Sequence, residues 1–244
     1  MASKRSLSAS PAALHERAPS RLTRERIVAT ALGVLDDTGA EGFSLREVAR
    51  RLEVYPASLY WHMGGGRDVL LAAAAGAVLT DLVPPAAKGP EDWRDWLRAL
   101  FHRYRAAVRR HPRAAPVLGS QLVSNAGVDL GLVEALLATL SLAGFRNQAL
   151  ADAYNATVAA MLGFTTLEFA AMPAEDPAAW ERLLRARVEG VDPAAYPMVA
   201  THLPVLLNRG FILRWRSGAD APLDSGFDAY VEAFLRGLGP PSAE

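Results

Sequence analysis

Apolar residues recur at spacings of three and four along almost the whole chain, and that period predicts helices throughout. Ile27, Val28, Ala31, Leu32 and Leu35 form a first stripe, with Thr23 placed to cap it and Gly39 to stop it in a left-handed conformation. Ser44 and Glu47 have the spacing of a capping box for a second helix, which turns Val48, Ala49 and Leu52 inward. Pro56 suits the first turn of a third, where a missing N–H has no helical partner to lose. Gly64, Gly65 and Gly66 separate it from a fourth helix running from about 67 to 82, ended by Pro84 and Pro85. Trp93, Leu97, Leu100, Phe101, Tyr104 and Val108 make the stripe of a fifth, while Arg94, Arg98, His102, Arg105 and Arg109 fall on its opposite, solvated face. Shorter helices are expected near 114–124 and 128–143, the latter closed by Gly144, and then a long buried helix over 149–171 that breaks near Pro173 and Pro177. A helix near 178–188, a proline-punctuated stretch over 193–207 and a loop over 208–224 follow. A last helix carries Phe227, Tyr230, Val231, Phe234, Leu235 and Leu238. No run alternates apolar and polar residues between Asn-Gly or Asp-Gly turns, so the expected fold class is all-α.

Composition narrows the function. At 244 residues and 51% hydrophobic content the chain holds one large domain, or a small one plus a larger one. It has no cysteine, which excludes a disulfide framework, a thiolate metal site and a cysteine nucleophile, and fits a reducing cytoplasm. Residues 1–20, rich in Ser and Pro with Lys4, Arg5 and Arg17, read as a disordered, mildly basic tail without the apolar core of an export signal. The most apolar long stretch, 149–171, contains Asp152, Asn155 and Glu168 and is too polar for a membrane span. Formal net charge is +0, so any surface built for a polyanion must be local.

The candidate chemistry lies in residues 44–63, two short helices joined by a tight turn. Ala49 is small enough for a second helix to cross close over the first, Val54 supplies an apolar turn residue, and Leu59 anchors the second helix. The remaining face offers Tyr55, Pro56, Ala57, Ser58, Tyr60 and Trp61 outward. In a helix-turn-helix such a face enters the major groove. Pro56 and Ala57 suit apolar contact with thymine methyls, and Arg46 suits a bidentate contact with a guanine edge. Ser58, Tyr60, Trp61 and His62 carry donors for phosphate oxygens, which fix register rather than sequence. The helix N-termini at Thr23 and Arg67 add backbone donors.

Residues 23–82 resemble the DNA-binding domain of the tetracycline-repressor (TetR) family. The matching residues are Thr23-Arg24-Glu25, Ile27, Ala31, Gly39, Phe43-Ser44, Arg46-Glu47-Val48-Ala49, Leu52, Val54 and Leu59-Tyr60-Trp61-His62. Similarity continues through Trp93, Leu142-Ala143-Gly144-Phe145 and Leu162-Gly163 ahead of Glu168. The resemblance implies a DNA-binding domain over 21–82, a helical regulatory and dimerisation domain over 91–239, a homodimer on palindromic operator DNA, and release by a small-molecule inducer. The chain departs from the family pattern in three places. Glu53 stands where a turn glycine is expected, Tyr55 where a helix cap is expected, and Gly66 where the family has a phosphate-binding lysine. Residues 21–78 hold seven arginines and seven carboxylates, so the domain has no basic surplus and a shallow salt dependence of DNA binding is expected.

Trp96, Phe101, Tyr104, Gln121, Asn125, Tyr154, Asn155, Met161 and Phe164 are candidate linings for the inducer pocket, set beside the alternative that each is core. In the tetracycline repressors themselves a histidine after the fifth helix and a glutamate of the eighth help hold a magnesium–drug chelate. Here the histidine position falls near Leu118 and Glu168 is one place from the glutamate, so neither metal nor cofactor is expected and the inducer reads as a mostly apolar molecule. Helices near 149–171 and 227–238 are the expected dimer interface. The competing reading is an all-helical dimer with an enzymatic or scaffolding role that has lost DNA binding, although the usual nucleophile, metal and phosphate-loop motifs are missing from the sequence.

Overall fold

The computed structural model describes residues 22–121, 130–171 and 175–239. The tail over 1–20 and Asn125 lie outside them, and Gln121 is described in its backbone alone. The described residues form eleven α-helices and no strand: α1 (Arg24–Gly42), α2 (Leu45–Leu52), α3 (Pro56–Met63), α4 (Arg67–Ala77), α5 (Trp93–Arg110), α6 (Ala115–Gln121), α7 (Leu130–Leu142), α8 (Asn147–Glu168), α9 (Pro177–Glu189), α10 (Pro197–Leu206) and α11 (Asp224–Gly237). A single 3-10 turn, Pro112–Ala114, joins α5 to α6.

The first three helices begin and end for local reasons. Thr23 caps α1, its hydroxyl accepting the Arg26 N–H at 3.3 Å. Gly39 interrupts α1 with φ 69° and ψ 179°, a positive φ as expected but an extended ψ in place of the left-handed helical cap. The capping box forms only by half. Ser44 Oγ accepts the Glu47 N–H at 3.2 Å, but the Glu47 carboxylate accepts instead from Arg50 Nε at 2.8 Å and Arg51 Nε at 2.9 Å. Two guanidinium groups attract a carboxylate more strongly than one neutral amide does.

Glu53 ends α2 at φ 58°, ψ 40°, where its N–H reaches the Arg50 carbonyl at 3.2 Å. A β-carbon in that conformation costs about 1–2 kcal/mol. Glu53→Gly is therefore expected to stabilise the fold by about 0.5–1 kcal/mol, after allowing for the greater entropy glycine loses on folding. A chemical-denaturation midpoint that stays put or falls would show that Glu53 sits there without strain.

Three expectations are corrected in the larger helical part. Arg94, His102 and Arg109 on the arginine face of α5 are exposed as expected, but Arg98 is half-buried and Arg105 buried, because α11 packs along that side. Arg94 Nε donates to the Leu235 carbonyl at 3.2 Å, Arg98 Nε to Glu232 at 2.5 Å, and Arg105 is buried. Long arginine stems cover apolar surface while their heads find acceptors, so a polar face in sequence can still be a packed one. Pro177 opens α9 rather than breaking a helix, and Asp176 Oδ1 accepts the Ala179 N–H at 2.9 Å as its cap. The proline-punctuated stretch contains α10, with Pro197 in the first turn, where a missing donor disturbs little, and Pro204 inside the helix, where it removes one helical hydrogen bond.

The core is continuous. Ile27, Ala31 and Val34 of α1, Leu70 and Ala74 of α4, and Leu97, Leu100 and Phe101 of α5 belong to one buried cluster that reaches Val231 and Leu235 of α11. The first four helices and the rest of the chain thus share apolar packing, which lets strain pass between them.

Candidate functional site

Helices α2 and α3 form a helix-turn-helix on the surface. Ala49 and Leu59 are fully buried where the two cross, and the Val54 N–H closes the turn onto the Ala49 carbonyl at 3.0 Å. Pro56 opens α3, and Tyr55 sits at its cap position without a side-chain hydrogen bond. With Leu59 and Met63 turned inward, the outer face of α3 is left to large aromatics. Tyr55 is 83% exposed, Trp61 84% and Tyr60 51%. Pro56 and Ala57 are exposed beside them, Ser58 and His62 are half-buried, and the His62 ring meets Trp61 edge-on at 5.4 Å. Aromatics left in water at this density mark a surface that contacts something else. Arg46 is exposed in the first turn of α2 and makes no ion pair among the described residues. Thr23 is exposed at the start of α1, with its hydroxyl oxygen engaged as the cap.

The other arginines here are already partnered. Arg50 and Arg51 share Glu47, and Arg51 also reaches Asp37 at 2.7 Å. Hydrogen bonds from Arg50, then Arg51, hold the Glu47 carboxyl down at about 2, so it stays charged and keeps both cations engaged at any physiological pH. Arg67, expected at the interface through its backbone N–H, is exposed, but its guanidinium is engaged within the protein. It donates to the carbonyls of Phe43, at 3.1 Å, and Ala40, and pairs with Asp68 at 3.1 Å. Its guanidinium braces the end of α1 against α4, and only its backbone N–H, at the start of α4, keeps the role the sequence suggested. At Gly66 a β-carbon would meet only the Tyr60 ring at 3.5 Å, an ordinary contact.

A bonded junction ties α1 to the turn after α5. His111 Nδ1 lies 2.8 Å from Asp36 Oδ2, and Arg113 donates to the Asp37 carbonyl. Since Asp37 also holds Arg51, the contacts run without a gap from α2 through α1 to the α5–α6 turn.

In the larger part a cavity of about 310 Å³ opens between the α4–α5 loop, α5 and α7. Trp96 lines it, with Val83, Pro84, Ala86 and Ala87 from the loop and Ala135, Ala138, Thr139 and Leu142 from α7. Trp96 is the one expected lining residue found in its wall. Phe101 and Tyr104 are core, with Phe101 5.5 Å from the Phe234 ring. Met161 and Phe164 are buried, Phe164 stacking on Tyr230 at 5.3 Å, while Tyr154 is half-buried and Asn155 exposed. Alanines and a proline carry no recognisable chemistry in sequence, which is why the other lining residues were missed.

Beyond the cavity, Glu168 at the end of α8 is buried among cations. Its carboxylate accepts from Arg105 Nε and Nη2, both at 2.7 Å, and from the Leu223 N–H at 2.9 Å. Arg105 also reaches Asp224 at 2.8 Å and lies over the Phe227 ring at 4.6 Å. The Glu168 hydrogen bonds, set against burial, raise the Arg105 pKa above its ordinary value. Arg214 is buried nearby, held down by desolvation and partly relieved by the field of Glu168. Next to this cluster burial pushes the Tyr104 phenol up to about 12. Thr165 offsets part of that rise, but its proton goes to the Met161 and Leu162 carbonyls, and no hydrogen bond of normal geometry reaches the Tyr104 oxygen.

Helices α8 and α11 lie side by side. The Tyr230 hydroxyl donates to the Ala160 carbonyl at 2.7 Å, and Phe164 packs between Phe227 and Tyr230. Each helix leaves small residues open to solvent: Ala156, Ala159 and Gly163 on α8, Gly226, Ala229 and Ala233 on α11. Leu167 is exposed at the end of the first row, and α10 buries none of its residues although it carries Met198 and Val205.

Residues 84–211 match a family model described as the tetracyclin repressor-like C-terminal domain. An HTH-type transcriptional regulator of Saccharopolyspora erythraea is 35% identical over 124 residues, 51% of this chain and 51% of that protein. The class D tetracycline repressor protein of Escherichia coli is 36% identical over 100 residues, 40% of this chain and 45% of the other. The matches thus span about half the length of these relatives. Among solved structures, the transcriptional regulator SCO7222, a TetR from Streptomyces coelicolor, superposes with a TM-score of 0.61 at 28% identity, covering 88% of this chain and 99% of that one. ActR from the same organism, solved in complex with actinorhodin, gives a TM-score of 0.65 at 22% identity over 91% of this chain and 100% of its own, a likeness of fold. No helix among the described residues is long and apolar enough to cross a membrane.

Proposed function

Because this chain belongs to the tetracycline-repressor family, we propose that it is a homodimeric, ligand-released transcriptional repressor that acts in the cytoplasm and catalyses no reaction. The observation that carries this reading is the outer face of α3, where Tyr55, Tyr60 and Trp61 stand in solvent beside an unpaired Arg46. In this reading α3 enters the major groove, Arg46 reads a guanine edge, and Tyr60, Trp61 and His62 hold phosphates. Residues 21–82 are the DNA-binding domain and 91–239 the regulatory and dimerisation domain.

The small-residue rows on α8 and α11 support a homodimer, since a second copy packing there would form a four-helix bundle with close backbone approach. Two-fold symmetry would then set the two α3 helices about 34–36 Å apart, one turn of DNA. A ligand that binds one dimer geometry better than the other shifts the population toward it, and the junction of Asp36 with His111 supports transfer of that shift to α1.

Nuclease protection of the DNA upstream of the coding sequence tests the reading. A palindromic footprint is expected. Arg46→Ala should weaken binding by about 1–3 kcal/mol and relax one base position, because one bidentate contact is lost. If no footprint forms, or if Arg46→Ala and Tyr60→Ala bind as well as the parent chain, α2 and α3 are not the reading elements.

A further inference from the structure

We propose that the cavity between the α4–α5 loop, α5 and α7 is a ligand site for a flat, uncharged, mostly apolar molecule that presents one carbonyl-type oxygen to Trp96. This rests on the reading that the protein answers to a small molecule, and adds the place and the chemistry.

The size fits. Small-molecule pockets run from about 300 to 1,000 Å³ and are mainly apolar with a few placed polar groups, and this one holds about 310 Å³. Among the described residues no charged side chain lines it. An ionised ligand would leave water and find no counter-charge, a cost that only pairing offsets.

The polar inventory is short and one-sided. The Thr139 hydroxyl donates to the Ala135 carbonyl at 2.8 Å, so toward the cavity it offers lone pairs alone. The Val83 carbonyl already accepts from Arg103 Nη1 at 2.9 Å, which also fixes the loop wall. Trp96 is 4% exposed, and its indole N–H donates to no acceptor among the described residues. Its nitrogen is not sealed in the core as that of Trp215 is, so a ligand acceptor can reach it. Among the described lining residues Trp96 supplies the one free donor in a mostly apolar wall, which selects a ligand oxygen that accepts, and the alanines of α7 favour a ring system lying against them.

Three probes of one shape separate these properties: 9-fluorenone, with a carbonyl; fluorene, without it; and 9-oxofluorene-2-carboxylate, with an added charge. Calorimetric titration of each into the full-length protein, in the absence of DNA, is expected to show fluorenone binding several-fold to about tenfold more tightly than fluorene, the worth of one hydrogen bond. The carboxylate should not bind measurably. Trp96→Phe keeps the ring packing but removes the donor, so it should bind fluorenone and fluorene equally. Ala138→Leu should weaken both by filling the space. No fluorenone binding, equal affinity for all three probes, or a fluorenone preference that survives Trp96→Phe would overturn the proposal. Because these titrations contain no DNA, failure of operator binding leaves their result unaffected. Conversely, a footprint released by molecules that leave the Ala138→Leu affinity unchanged would place the effector site elsewhere and keep the repressor reading.

Discussion

Glu168→Leu is expected to destabilise the folded protein by about 3–5 kcal/mol, the cost of leaving buried charge without its partner. The volume of the side chain is kept, so the effect isolates the carboxylate. Glu168 accepts two hydrogen bonds from Arg105 and one from the Leu223 N–H, and its field also reaches Arg214. Removing it strands one guanidinium beside Asp224 and another with a buried nitrogen that already lacks a partner. Arg105→Met should cost less, because Glu168 keeps the Leu223 N–H and the nearby Arg214 while methionine still packs on Phe227. Urea denaturation at fixed protein concentration gives both values, and concentration must be held because association with a second copy would add to stability. A larger loss for Arg105→Met than for Glu168→Leu would show that the carboxylate is not the hub of the cluster.

Gly163→Arg is expected to convert a dimer into a folded monomer. A β-carbon at Gly163 meets nothing within 4 Å, so the protomer has room for the change, and arginine is a better helix former than glycine by about 1 kcal/mol. In the proposed four-helix bundle the same change sets two long cations against each other at a point of close backbone contact. Light scattering should report the chain mass of 26.1 kDa in place of twice that value, with an unchanged or higher helical signal. Operator affinity should fall by about 10²–10⁴-fold, because a monomer loses the second head and the effective concentration that linkage supplies. A variant that stays dimeric would move the interface away from the small-residue face of α8.

The parts of the molecule that sequence made legible are those fixed by local chemistry. Thr23, Ser44 and Pro56 mark helix ends through groups a few residues away, and the structure places them as expected. What sequence could not supply depends on distant partners. Arg105 reads as a solvated residue until Glu168, 63 positions later, is brought beside it. Nothing near Arg67 in sequence shows that the Ala40 and Phe43 carbonyls, 27 and 24 positions earlier, take its guanidinium. Glu47 reads as the second half of a capping box until two arginines on its own helix claim it. The cavity is the extreme case. Its walls are largely alanine and proline, and a space is specified by what surrounds it, so Trp96 alone announced it.

The binding of Arg50 and Arg51 by Glu47 and Asp37 has a consequence for how the proposed repressor would search a chromosome. Every stretch of duplex offers phosphates, and a genome presents about 10⁶–10⁹ competing positions. A head with two of its cations already neutralised dwells more briefly on each of them. Fewer copies of the proposed dimer would then be sequestered by irrelevant sequence, and a small cellular stock could keep its operator occupied.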